Sequence, residues 1–155
     1  MCIRDRELFL SILENVKKGI LEEFDRYIQE REFDSGLDMI DGALSFYLYL
    51  AGVMEEQFLI LHRHYPYKLA EVNPVCRSHL EAIYNCFVDI FERALLLGQK
   101  DGSITRELPA RKTALILLST VDGLVRFKAH NLYDTGALIN ELLAGCRRML
   151  RSKET

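Results

Sequence analysis

The sequence predicts an all-α fold, a bundle of about five long helices with room for a short sixth near residues 66–72. Three observations lead there. Only three prolines and nine glycines interrupt 155 residues. Apolar residues recur at steps of three and four, the spacing that builds one face of a helix. No segment shows the apolar–polar alternation of a half-buried strand. The length suits one domain, and a composition of 49% hydrophobic and 28% charged residues suits a folded globule and excludes disorder.

From Glu7 to Gln29 the apolar set Leu8, Phe9, Ile12, Leu13, Val16, Ile20, Phe24, Tyr27 and Ile28 marks an amphipathic helix. Asp34-Ser35-Gly36 is turn chemistry that closes this helix. A second helix is expected from about Leu37 to His64. Its middle, Ala43 to Met54, is apolar nearly all round, which makes it the central helix of the domain. At twelve residues that stretch falls short of the roughly 20 that a bilayer span needs, so it reads as a buried core helix.

Tyr65-Pro66-Tyr67 reads as a bend, with a short helical turn reaching about Glu71. Asn73-Pro74 is a helix start, with an asparagine cap and a proline at the first helical position, where no N–H is missed. The third long helix runs from Pro74 to about Leu97, and Gly98-Gln99-Lys100-Asp101-Gly102 forms a polar turn after it. Leu108-Pro109 opens a fourth, reaching about Lys128, and a fifth runs from Thr135 or Gly136 to about Arg151.

A helix at the end of a monomer needs one apolar face. The fifth helix carries two adjacent stripes, Leu138, Leu142 and Met149 beside Ile139, Leu143, Cys146 and Leu150, and the fourth is similarly over-supplied. With the small residues Gly123, Ala144 and Gly145 permitting close approach, this excess points to a homodimer seam built from Leu115, Gly123, Leu138, Leu142, Cys146 and Met149.

Little in the sequence argues for catalysis, and none is expected. A formal charge of −3 speaks against a nucleic-acid-binding surface on this domain itself. Cys2, Cys76, Cys86 and Cys146 are far apart and form no metal knuckle or redox pair, so free thiols in a reducing cytoplasm are expected. There is no charged-then-apolar secretory leader at the start. His62 and His64, two apart, would point in different directions on a helix, and with His79 they do not make a metal site. A di-iron bundle would need Glu-x-x-His pairs, and no glutamate stands three residues before any of the four histidines. No cofactor is expected. Asp122, inside an apolar stretch, must find a partner, and Arg126 is four residues on. A cavity between the second, third and fourth helices would have apolar walls and a few polar points.

In the order of its parts the chain resembles the C-terminal region of tetracycline-repressor-type (TetR/AcrR family) transcriptional regulators. Asp5 to Leu13 is similar to the segment leaving that family's DNA-binding headpiece. Phe91-Glu92-Arg93-Ala94 through Gly98 to Ile104 looks like its helix end and Gly-Gln-x-x-Gly turn, and Val121-Asp122-Gly123-Leu124 is similar to a pattern in its penultimate helix. Residues 1–5 do not continue the family pattern backwards, and the family's helix-turn-helix headpiece would precede them. They read as a non-family lead, the mark of a truncated reading frame, followed by a ligand-binding and dimerisation domain over 6–151 and a tail at 152–155. The resemblance implies a cytoplasmic effector sensor, usually a repressor, that reaches DNA only through such a headpiece. It implies a hydrophobic effector, an acyl chain or an aromatic compound, lined by Tyr47, Leu50, Met54, Phe58, Tyr84, Phe87, Phe91 and Leu118. The competing expectation is a small helical module that binds another protein and no ligand.

Overall fold

The structure, a computed structural model, describes residues 3–62 and 64–153, without the side chains of residues 3, 5, 6, 64 and 65. Seven helices follow one another: α1 (Ile3–Gln29), α2 (Gly36–Val53), α3 (Glu55–His62), α4 (His64–Val72), α5 (Pro74–Asp101), α6 (Ala110–Ala129) and α7 (Thr135–Leu150). The described residues form no strand; one isolated bridge joins Ile104 to Arg151. Five helices are long, and α3 and α4 are short. α5 lies against α1, α2, α4 and α6, and α2 borders α1, α3, α5, α6 and α7.

The expected second helix is divided. At Met54 the backbone leaves helical geometry (φ −104°, ψ 42°) while its N–H still reaches Leu50 O. The axis then turns by 96° between α2 and α3. A straight continuation would carry Phe58 and Leu61 off the end of the core. The turn brings the Phe58 ring to 5.4 Å from Tyr47 and buries both Phe58 and Leu61. Burial of two large apolar side chains, about 1.5–3 kcal/mol each, outweighs the helical bonds given up at one break. α2 is not covered on every side either, for Tyr49 and Val53 remain more than 60% exposed. No single helix among the described residues is long and apolar enough to cross a membrane.

Helix starts follow the sequence closely. The Ser35 hydroxyl accepts from Asp38 N, Asn73 Oδ1 accepts from Val75 N and Cys76 N, and Asp134 accepts from Ala137 N. The expected polar turn at 98–102 differs. α5 continues to Asp101, and Gly98 lies inside it. A Cβ on Gly36 would lie 2.0 Å from Gly98 N, so the start of α2 rests on the α5 backbone with no room for a side chain. Asp101 accepts from Gly36 N (2.7 Å), Ser103 Oγ accepts from Leu37 N (3.1 Å), and Gly102 reverses the chain at φ 84°. Gln99 donates to Thr105 O and Leu108 O, tying down the loop that follows. Each conspicuous residue of the turn thereby holds α2, α5 and the α5–α6 loop together. At the other side of α2, Arg147 of α7 pairs with Asp38 and Asp41.

The core is aromatic at its centre. Phe24 meets Phe46 and Phe87 edge-on at 4.9 and 5.4 Å, and Tyr47 meets Phe87 at 4.9 Å. Such pairs contribute roughly 0.5–1.5 kcal/mol each beyond their burial. Cys76 and Cys146 are buried free thiols and Cys86 is a half-buried one; Cys2 lies outside the described residues.

Candidate functional site

Asp122 is the centre of a polar network inside this apolar bundle. It sits on α6, and its side chain is 14% exposed. Tyr47 of α2 donates its hydroxyl proton to Asp122 Oδ1 at 2.7 Å, and His62 Nε2 at the end of α3 lies 2.8 Å from the same oxygen. Arg126 Nε, one turn along α6, donates to Oδ2 at 3.3 Å. The guanidinium also donates to Tyr67 OH of α4 at 3.2 Å, and Tyr67 OH meets Tyr84 OH of α5 at 2.6 Å. Five helices, α2 to α6, are thereby joined through one carboxylate and one guanidinium.

The electrostatics follow from the partners. Burial alone would push the Asp122 carboxyl up. The hydrogen bond and charge of His62, then the Tyr47 hydroxyl and the Arg126 charge, overcome it and hold Asp122 below its ordinary value. Asp122 is therefore a carboxylate and accepts from all three neighbours. Burial, aided by Asp122, drives the Tyr47 phenol well above its usual value, and burial with the Tyr67 contact does the same to Tyr84. Both phenols remain neutral. His62 Nδ1 is buried without a hydrogen-bond partner among the described residues.

Beside the outer end of this network lies a cavity of about 420 Å³ between α4 and α5, lined by Tyr67, Ala70, Glu71, Arg77, Leu80, Glu81, Tyr84 and Asn85. That volume falls in the range of small-molecule sites. Arg77 Nε donates to Ala70 O, bridging the start of α5 to α4. A second groove of about 330 Å³ runs between α1 and α3 past Gly19, Met54 and Ile60.

Among the described cavities, none is lined by the eight residues together. Tyr84 lines the α4–α5 cavity, Met54 the α1–α3 groove, and Phe58 a void of about 10 Å³ beside His62. Tyr47, Leu50, Phe87, Phe91 and Leu118 are buried in the core, where aromatic edges meet aromatic faces and fill the space. On the expected seam, Leu115, Leu138 and Met149 are 42–50% exposed and Leu142 is half-buried. Cys146 instead faces the monomer's interior at 7% exposure, with Leu150 beside it in the core. A Cβ on Gly123 would meet no atom within 4 Å, and one on Gly145 only the end of Arg148 at 3.9 Å.

The Asp122–Arg126 pair was legible from its i,i+4 spacing. His62 and Tyr67 were not, because sixty residues of intervening chain leave no periodic signal for their approach to α6. The one clue was that a carboxylate buried among apolar residues requires more than a single exposed partner. His62 belongs to this network; the His64 side chain lies outside the described residues. Among those residues no group of three or more His, Cys, Asp or Glu could hold a metal ion. Compared with family models, with curated proteins and with solved structures, the chain matches none.

Proposed function

We propose that this chain is an effector-sensing and dimerisation domain of a bacterial transcriptional regulator of the tetracycline-repressor type, acting in the cytoplasm, most simply as a repressor. A hydrophobic small molecule would bind it and control operator binding by a headpiece outside this sequence. The observation that carries the reading is the hydrogen-bonded chain from the α4–α5 cavity to α6, Tyr84–Tyr67–Arg126–Asp122, because α6 also bears an uncovered apolar face.

That face supports a second copy of this chain as its cover. Seven of the fourteen large exposed hydrophobics among the described residues fall between Leu115 and Met149, on α6, α7 and their connection. Gly123 and Gly145 cost an exposed helix up to about 1 kcal/mol each relative to alanine, and among the described residues no close contact requires them. Close approach of a partner helix gives them a purpose. A ligand that alters the Tyr67 contacts would then alter the α6 surface on which the dimer turns.

Native mass spectrometry on gently purified protein tests the reading. A mass near twice 17.9 kDa, with added mass lost on denaturation, is expected. A bare monomer would count against both the seam and the cavity. The tight closure of the aromatic core favours a second reading, a helical module that uses the α6–α7 face to bind another protein and takes no ligand; a dimer that never carries or gains a small molecule would support it.

A further inference from the structure

We propose that the α4–α5 cavity takes a neutral, mainly apolar molecule bearing a hydrogen-bond acceptor such as a carbonyl oxygen, held by the Tyr67–Tyr84 hydroxyl pair. The inference deepens the sensor reading and rests on it.

Counting protons carries the argument. Tyr67 OH has two neighbours, Arg126, which can only donate, and Tyr84 OH. Tyr84 OH has one, Tyr67. The pair owns two hydroxyl protons and uses one of them in its mutual bond. If Tyr67 donates to Tyr84, the Tyr84 proton is left over; if Tyr84 donates to Tyr67, the Tyr67 proton is left over. In either arrangement one O–H among these two cavity-lining residues has no acceptor among the described residues. Burial keeps the Tyr84 phenol protonated, so the pair does not lose this proton as pH rises through the ordinary range. That proton belongs to residues lining an open cavity, and a ligand oxygen can accept it in place of solvent, the exchange that gives a neutral hydrogen bond its modest net value.

The remaining walls set the charge and body of the ligand. Leu80 and Ala70 give the cavity an apolar floor, and the two tyrosines give it aromatic faces. Glu71 and Glu81 face a single Arg77 along the lining, an excess of negative charge that disfavours a carboxylate. Arg126, the nearest cation to the hydroxyls, is already neutralised by Asp122. An uncharged acceptor on an apolar frame satisfies all of these walls.

Titration with 2-acetonaphthone and with its hydrocarbon analogue 2-isopropylnaphthalene tests the proposal, because the two differ chiefly in the acceptor oxygen. The full chain should bind the ketone between about three- and tenfold more tightly, the range expected of one neutral hydrogen bond. Tyr67→Phe and Tyr84→Phe each leave one unused hydroxyl proton, so each single variant should keep a preference for the ketone. The double variant has none and should bind both compounds alike. An infrared spectrum of the bound ketone in the unaltered protein provides a readout independent of whether the double variant folds; its carbonyl band should lie below that of the ketone in hexane. Ala70→Phe, which puts a ring into the cavity, should weaken binding of both. Equal binding of ketone and hydrocarbon by the unaltered protein, or an unshifted carbonyl band, overturns the acceptor assignment while the sensor reading stands. Failure of both compounds to bind, or binding indifferent to Ala70→Phe, overturns the site itself.

Discussion

Asp122 concentrates more of this molecule's polar energetics than any neighbour in its network. Its removal leaves Arg126, His62 and the Tyr47 hydroxyl without their common acceptor, and the loss of one partner from a buried charged group is costly. Asp122→Ala should destabilise the fold by about 3 kcal/mol in urea titrations, and Tyr47→Phe by about 1 kcal/mol. The pH dependence has a definite sign. Because the folded chain holds the Asp122 proton more weakly than the unfolded chain, its contribution is complete above the unfolded value of about 3.9 and disappears as pH falls through the folded value. The stability difference between the unaltered protein and Asp122→Asn should therefore shrink between pH 7 and pH 3. Asp41 behaves oppositely: burial, its largest influence, raises its carboxyl despite Arg147, so its ionisation opposes folding near neutrality.

Glycines at the scale of helices play contrary parts. Gly36 is needed by the monomer, since any side chain there would strike the backbone of Gly98. Gly36→Ala should cost ~3 kcal/mol or more, as overpacking against an unyielding backbone does, and a lowered urea midpoint would register it. No close contact among the described residues requires Gly123. Gly123→Ala should raise monomer stability by about 0.5–1 kcal/mol while weakening self-association in sedimentation experiments; a variant that does the first without the second would leave the seam without its close approach. The α2–α3 break belongs to this scale too. The apolar run through Met54 reads as one helix because local periodicity continues across it. The turn of 96° accompanies the burial of Phe58 and Leu61, contacts made with residues far from the break.

Over the whole molecule, the apolar face of α6 and α7 is the surface on which the proposed function depends. A specific protein interface buries roughly 1,200–2,000 Å² in total, and two long helices from each copy can supply that. Leu138→Asp, at a side chain already 42% exposed, should leave the urea midpoint of the monomer within about 0.5 kcal/mol of its original stability. The same substitution should convert a dimer to a monomer by sedimentation. A dimer that survives both Leu138→Asp and Leu142→Asp would place the interface elsewhere.

The all-α class and the cap at Asn73 were determined by the sequence alone, and the helix count roughly so, because helical periodicity and capping are local and repeat within a few residues. So was the Asp122–Arg126 pair, one helical turn apart. Tertiary structure alone decided that Gly98 lies within a helix, that Cys146 turns inward, and that Tyr47, Phe58 and Phe87 fill the core. It also brought His62 and Tyr67 to α6 and left the cavity between α4 and α5. Those outcomes depend on which helix faces which, and the volumes that must be filled there come from residues far apart in the chain.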